Sequence, residues 1–121
     1  MKRKIIVIEN DLVSVPATNE NWMTTHEIAN LFDCFISKIS ANILSILKSD
    51  VLDETKVCQT CHYQNGNFIE QYSLEMIIAL SFRIKSRNAE SFREWLAKKA
   101  TTKASEVQMF VCGNSNSISL N

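Results

Sequence analysis

Only two glycines and one proline occur in the 121 residues. A chain so poor in both is neither a low-complexity linker nor a loop-rich scaffold. There is no glycine-rich phosphate loop, no H-E-x-x-H and no G-x-S-x-G, so the commonest signatures of nucleotide and hydrolytic chemistry are missing. Both histidines fall in structural contexts, His26 in the first turn of a helix and His62 in a strand, and no enzyme is expected. Net charge is zero, so the whole molecule exerts no bulk pull on a polyanion. No apolar run approaches the ~18 residues of a membrane span. The basic start, Met1-Lys2-Arg3-Lys4, is followed by only residues 5–8 as an apolar run, shorter than the ~7–15 residues of a secretory core segment. A cytoplasmic protein with no membrane association is expected. Its four cysteines are then reduced thiols.

What is present suits one compact domain: 45% of the residues are hydrophobic, enough for a core at this length. Charge is unevenly spread. Residues 11–33 hold four acids (Asp11, Glu20, Glu27, Asp33) and no lysine or arginine. Residues 80–105 hold Arg83, Lys85, Arg87, Arg93, Lys98, Lys99 and Lys103 against Glu90 and Glu94. That local excess is a candidate phosphate-facing patch, or else a solvated helix face.

Residues 22–47 carry the most information. Thr24 with Glu27 fits a capping box, and Ile28, Leu31 and Phe32 share one helical face. Ala29 is small enough for a second helix to approach. After a break at Asp33-Cys34, the spacing predicts a helix over 36–48 that buries Ile36, Ile39, Ile43, Ile46 and Leu47. Its other face offers Ser37, Lys38, Ala41, Asn42, Ser45 and Lys48, with Ser40 near it. The layout is that of a helix-turn-helix, whose second helix can enter the DNA major groove. Short serine and asparagine side chains allow close approach to base edges or phosphates.

Around this unit, residues 5–8 read as a strand, 9–11 as a turn, and 12–15 as a returning strand. Residues 49–54 form an acidic connector. Residues 57–63 and 68–72 flank Gln64-Asn65-Gly66-Asn67, and Asn-Gly there predicts a hairpin with a type I′ turn. Such a hairpin after a helix-turn-helix is the wing of a winged helix, with Asn65 at its tip. Ser73 then caps a helix over 74–84, with Met76, Ile77, Leu80 and Ile84 toward the core. Residues 85–88 break it, and a further helix over 89–100 buries Phe92, Trp95 and Leu96. Residues 107–112 read as a short strand and 113–121 as a disordered end. The expected class is α+β: a winged-helix-like helix-turn-helix domain over 1–105 with an N-terminal β-hairpin, a wing and two C-terminal helices, then a tail over 106–121.

Cys58-Gln59-Thr60-Cys61-His62 formally matches the C-x-x-C-H of haem attachment. The match fails on geometry, because residues three apart on a strand point to opposite faces. The same point weighs against a zinc site, which takes four ligands, usually with C-x-x-C in a turn. No cofactor and no metal are expected.

Trp22, Thr24, Ile28-Ala29-x-Leu31-Phe32, Ile36-Ser37-x-Ile39-Ser40 and Ile43 resemble the N-terminal region of the RhuM-type (virulence-associated) bacterial proteins. Tyr72-x-Leu74, Ile77-Ile78, Phe82-Arg83, Ser86 and Phe92-Arg93-x-Trp95 extend the resemblance over residues 20–97. It implies a DNA-binding module associated with mobile elements and laid out like phage-type regulators. The family tends to carry glycine where Asp33 and Ser81 stand, and longer members continue past the end of this sequence.

Two functions follow as expectations. In one, the domain binds double-stranded DNA as a transcriptional regulator or mobile-element factor. Ser37, Lys38 and Asn42 then reach the groove, and Ser40 and Lys48 lie on phosphate. Thr25 meets a phosphate at a helix N-terminus, Asn65 sits at the wing tip, and Arg83, Lys85 and Arg87 make a second phosphate contact. In the other, the same fold is a protein–protein interaction module, with a homodimer formed through Met109-Phe110-Val111 or a helix face.

Overall fold

The computed structural model describes residues 5–17 and 21–111, with side chains described as far as residue 101. The fold is α+β, with five helices and two small antiparallel sheets among these residues.

Strands β1 (Val7–Glu9) and β2 (Leu12–Ser14) form a two-stranded hairpin. Glu9 pairs with Leu12, so Asn10 and Asp11 are the whole loop. Both have positive φ, 51° and 65°, the signature of a type I′ turn. Asn and Asp tolerate that region because their short polar side chains relieve part of its cost. Ile6, just ahead of β1, is buried in the core.

A strand that the sequence does not announce, β3 (Met23–Thr24), runs straight into helix α1 (Thr25–Phe32). The capping box is present: Thr24 Oγ1 accepts from the Glu27 amide at 3.2 Å, and the Thr24 amide donates to Glu27 Oε1 at 2.9 Å. Ile28, Ala29, Leu31 and Phe32 are buried, as their spacing requires. Asp33 ends the helix in the left-handed region, φ 54° and ψ 56°, and the Cys34 amide closes onto the Ala29 carbonyl at 3.0 Å. Helix α2 (Ile36–Lys48) leaves at 111° to α1 after residues 33–35.

An L-residue in the left-handed region carries a steric cost of about 1–2 kcal/mol, whereas glycine carries no steric cost there and a smaller entropic one. Asp33→Gly is therefore expected to raise the thermal midpoint by about 2–5 °C, and Asp33→Ala to lower it. A melting curve that falls for the glycine variant would show that the Asp33 carboxylate does more than occupy the turn.

The inner stripe of α2 is narrower than expected. Ile39, Ile43 and Ile46 are buried, Leu47 is half-buried, but Ile36 is exposed. Ile36, in the first turn, borders an open cleft toward the start of α1 and residues 68–72 instead of the core. A one-turn helix α3 (Glu54–Val57) follows where a plain connector was expected. Asp53 caps it, its Oδ1 accepting from the Thr55 amide (3.0 Å) and hydroxyl (2.7 Å). Four residues are too few to show helical periodicity. Val57, expected at the start of the hairpin strand, ends this turn and is buried.

Strands β4 (Cys58–His62) and β5 (Phe68–Tyr72) pair with His62 opposite Phe68, and β3 adds to the far edge of β5 in the order β3-β5-β4. The turn is not type I′. The Gly66 amide donates to the Tyr63 carbonyl (3.1 Å) and the Tyr63 amide to the Asn67 carbonyl (2.8 Å). Only Gly66 has positive φ, 89°. This is a three-residue loop, a type I turn followed by a glycine bulge. Asn65 accepts the Asn67 amide at 3.0 Å, so Asn-Gly works here through a side-chain bond and one left-handed residue.

Helix α4 (Leu74–Ser81) stops three residues before the expected 84. The Ser81 hydroxyl turns back to the Ile78 carbonyl at 2.7 Å. The Arg93 guanidinium donates to the Ser81 carbonyl and, at 3.2 Å, to that of Ile84. Helix α5 (Arg87–Val111) starts two residues early because Ser86 caps it, its hydroxyl accepting from the Ala89 amide at 3.1 Å. The strand expected over 107–112 is corrected: α5 runs through it to Val111 and across the proposed boundary at 105. No glycine or proline interrupts residues 87–111, so helix already under way overrides a local β preference. Residues 112–121, including the whole of the expected disordered end, lie outside the described residues, as do the side chains of Lys103, Met109, Phe110 and Val111.

The core joins α1, α2, α4 and α5. Phe32 and Phe92 meet edge to face with centroids 5.7 Å apart, and Trp95 lies 5.6 Å from Phe92. Asn88 donates to the Leu31 carbonyl at 2.8 Å, satisfying the end of α1 from α5. No single helix among the described residues is long and apolar enough to cross a membrane.

Candidate nucleic-acid interface

Helix α2 packs by its isoleucine stripe and turns its other side outward. Ser37, Lys38, Ser40, Ala41, Ser45 and Lys48 are all exposed there. The helix contains no Asp or Glu, so nothing on it repels a phosphate. Lys48 lies in its last turn, where a cation also suits the helix dipole.

The structure adds Arg83 to this face. Its Nη1 donates to Ser45 Oγ at 2.8 Å, placing a guanidinium from just past α4 between the registers of Lys38 and Lys48. Ser45 stands seven residues from Lys38, about 10 Å along the axis, and three from Lys48. Three cations thus share one side of the molecule.

The other expected contacts separate. Asn42 is half-buried and spends its amide on the Lys38 carbonyl at 2.9 Å, within its own helix. Arg87 belongs to the N-terminal hairpin: Nε and Nη2 hold Asp11 at 3.0 and 2.7 Å, and Ser91 Oγ adds a 3.1 Å bond. The hydrogen bonds from Arg87, then that from Ser91, hold the Asp11 carboxyl below its ordinary value. Lys85 is exposed between α4 and α5. Of the remaining bases in the 80–105 cluster, Arg93 binds backbone carbonyls of the α4 end and Lys99 lies 5.8 Å above the Trp95 ring. The cluster is therefore dispersed over several tasks rather than gathered into one patch.

Thr25 and Ser40 line a cleft of about 400 Å³ with His26, Ile36, Phe68, Glu70 and Tyr72. It lies between the start of α1, the first turns of α2 and strand β5. Glu70 lines it too and accepts from Tyr72 Oη at 3.2 Å, so a phosphate at Thr25 would sit beside a carboxylate. Burial, with Glu70 next, pushes the Tyr72 phenol up to about 12. Asn65 sits at the hairpin tip, exposed and engaged with Asn67.

Sequence reasoning missed the exposed apolar residues of this side. Leu44 is 64% exposed, Phe35 82% and Phe68 62%. Leu44 was legible in principle: in helical projection it falls with Ser37 and Ala41, opposite Ile39, Ile43 and Ile46.

Cys58 and Cys61 point to opposite faces of β4. The Cys61 thiol donates to Gln71 Oε1 at 3.4 Å, an oxygen that also accepts from Gln59. Cys58 stands opposite Tyr72. Burial, then Glu54 and Glu70, pushes the Cys58 thiol up to about 11. Three strand steps separate the two cysteines by about 10 Å, beyond the ~7 Å limit for a disulfide. Iodoacetamide should label Cys58 roughly 100-fold more slowly than a free cysteine at pH 8, the rate rising about tenfold per pH unit. Diamide should produce no 58–61 bridge on peptide mapping; finding one would mean that β4 opens. Among the described residues no three His, Cys, Asp or Glu side chains converge as metal ligands.

No protein-family model, curated protein or solved structure matches this chain.

Proposed function

We propose that this domain binds double-stranded DNA as a winged-helix-like helix-turn-helix, with α2 in the major groove and the β4–β5 hairpin as its wing. One observation carries the reading. Two helices meet at 111° across residues 33–35, within the ~90–120° of DNA-reading helix-turn-helix units, and the second presents a face free of acids. The β3-β5-β4 order, with β3 leading directly into α1 and the hairpin following α2, supports the winged form. The RhuM-type resemblance points the same way, to a cytoplasmic regulator or mobile-element factor.

Lys38, Lys48 and Arg83 contact phosphate; Ser37 and Ser40 approach the groove. Fluorescence anisotropy with a labelled duplex between 50 and 200 mM salt tests this. Three phosphate contacts per chain give a slope of about −3 in log K against log salt. A chain with no binding at tens of micromolar in low salt is not a DNA reader.

A protein–protein interaction module is the second reading, favoured by the exposed Phe35, Leu44, Phe68 and Phe82. Sedimentation decides it: a tight dimer that covers α2 removes the DNA reading.

A further inference from the structure

The outward face of α2 has an unusual composition for a helix surface. Its central stripe is Ser37, Ala41 and Leu44, flanked by Ser40, with Lys38 and Lys48 toward its two ends. Leu44 is 64% exposed although the same helix has a buried isoleucine stripe to join. One exposed aliphatic side chain is ordinary by itself; here it lies in line with the small Ser37 and Ala41 on a face bordered by cations. Phe35, 82% exposed, precedes the first turn.

Resting on the DNA-binding reading above, we infer that this stripe selects thymine-rich sites by covering thymine methyl groups in the major groove. Base edges are read by a small set of pairings: arginine or lysine to guanine, asparagine or glutamine to adenine, acids to cytosine, and apolar groups to the thymine C5-methyl. The stripe lacks Asp, Glu, Gln and Arg. Asn42, its one amide, donates to its own helix. The lysines flank the stripe, Lys38 to one side of Ser37 and Lys48 one turn past Leu44. What remains at the centre is apolar or a short hydroxyl. Ser37 to Leu44 spans about 10 Å, on the order of three base steps at 3.4 Å each. The acid-free, cation-flanked surface complements a polyanion, which favours DNA over an apolar protein as the occupant.

The full chain is titrated with three duplexes of one length at fixed salt. One carries thymine-rich half-sites found by selection on random DNA, one has those thymines replaced by deoxyuridine, and one is G·C-rich. Removing the methyl groups should weaken binding about fourfold per methyl covered. Restoring a methyl as 5-methylcytosine in the G·C duplex should strengthen it. Leu44→Ser, at an exposed position, should erase the thymine–deoxyuridine difference while keeping the salt slope. Equal binding to all three duplexes overturns the thymine inference and leaves DNA binding standing. Absence of binding to every duplex, with a dimer that Leu44→Ser dissociates, overturns both and makes the stripe a self-interface.

Discussion

Phe92→Ala is expected to destabilise the domain by about 3–5 kcal/mol, the cost of truncating a fully packed aromatic. Phe92 has no exposed surface and joins α5 to α1 through the Phe32 ring 5.7 Å away. The vacated space is walled by Phe32 and Trp95, two rings that cannot both collapse into it. Domains of this size hold about 5–15 kcal/mol in total, so the variant should melt well over 10 °C lower or fail to fold at 37 °C. Circular dichroism on heating measures it, with Leu12→Ala, on a side chain 75% exposed, as the control within about 0.5 kcal/mol of the parent. A change below ~1 kcal/mol for Phe92→Ala would mean that α5 is not part of the cooperative core. Because Asn88 and Arg93 of the same helix satisfy the ends of α1 and α4, loosening α5 should also disturb the 111° crossing that presents α2.

The second large effect is on binding. Lys38→Gln combined with Lys48→Gln should weaken duplex affinity on the order of 100-fold at 50 mM salt and reduce the salt slope from about −3 to about −1. Each lost phosphate contact leaves one counterion condensed on the DNA, and that term is largest at low salt. Glutamine keeps helix propensity and does not place a negative charge at the α2 C-terminus, so the fold should be intact by circular dichroism. A loss of less than threefold in a folded double variant would remove α2 from the interface. Arg83→Gln should remove one further unit of slope.

Local chemistry was legible from residues close together in the chain. Thr24 and Glu27 specify the start of α1, and the isoleucine spacing specifies which side of α2 faces inward. Gly66 specifies a turn, although the type depended on how Asn65 used its side chain. Short elements escaped notice because periodicity needs length. The two-residue β3 exists only because β5 offers it an edge, and α3 is a single turn held by Asp53.

By itself, then, the sequence determined four of the helices, the capping box of α1, the places of the two hairpins and most of the inward stripes, all of which depend on neighbours within a few residues. Ser73, read as a cap, makes no side-chain bond at the start of α4. Only the tertiary structure decided what each cation does. Arg87 finds Asp11 at a separation of 76 residues, Arg83 finds Ser45 at 38, and Arg93 turns onto the carbonyls that α4 leaves open. A run of bases in sequence cannot reveal this, because a long charged side chain is claimed by whichever acceptor the packed helices bring within reach. That claim dispersed an apparent basic cluster and brought Arg83 to Lys38 and Lys48 on the face where Leu44 stands exposed.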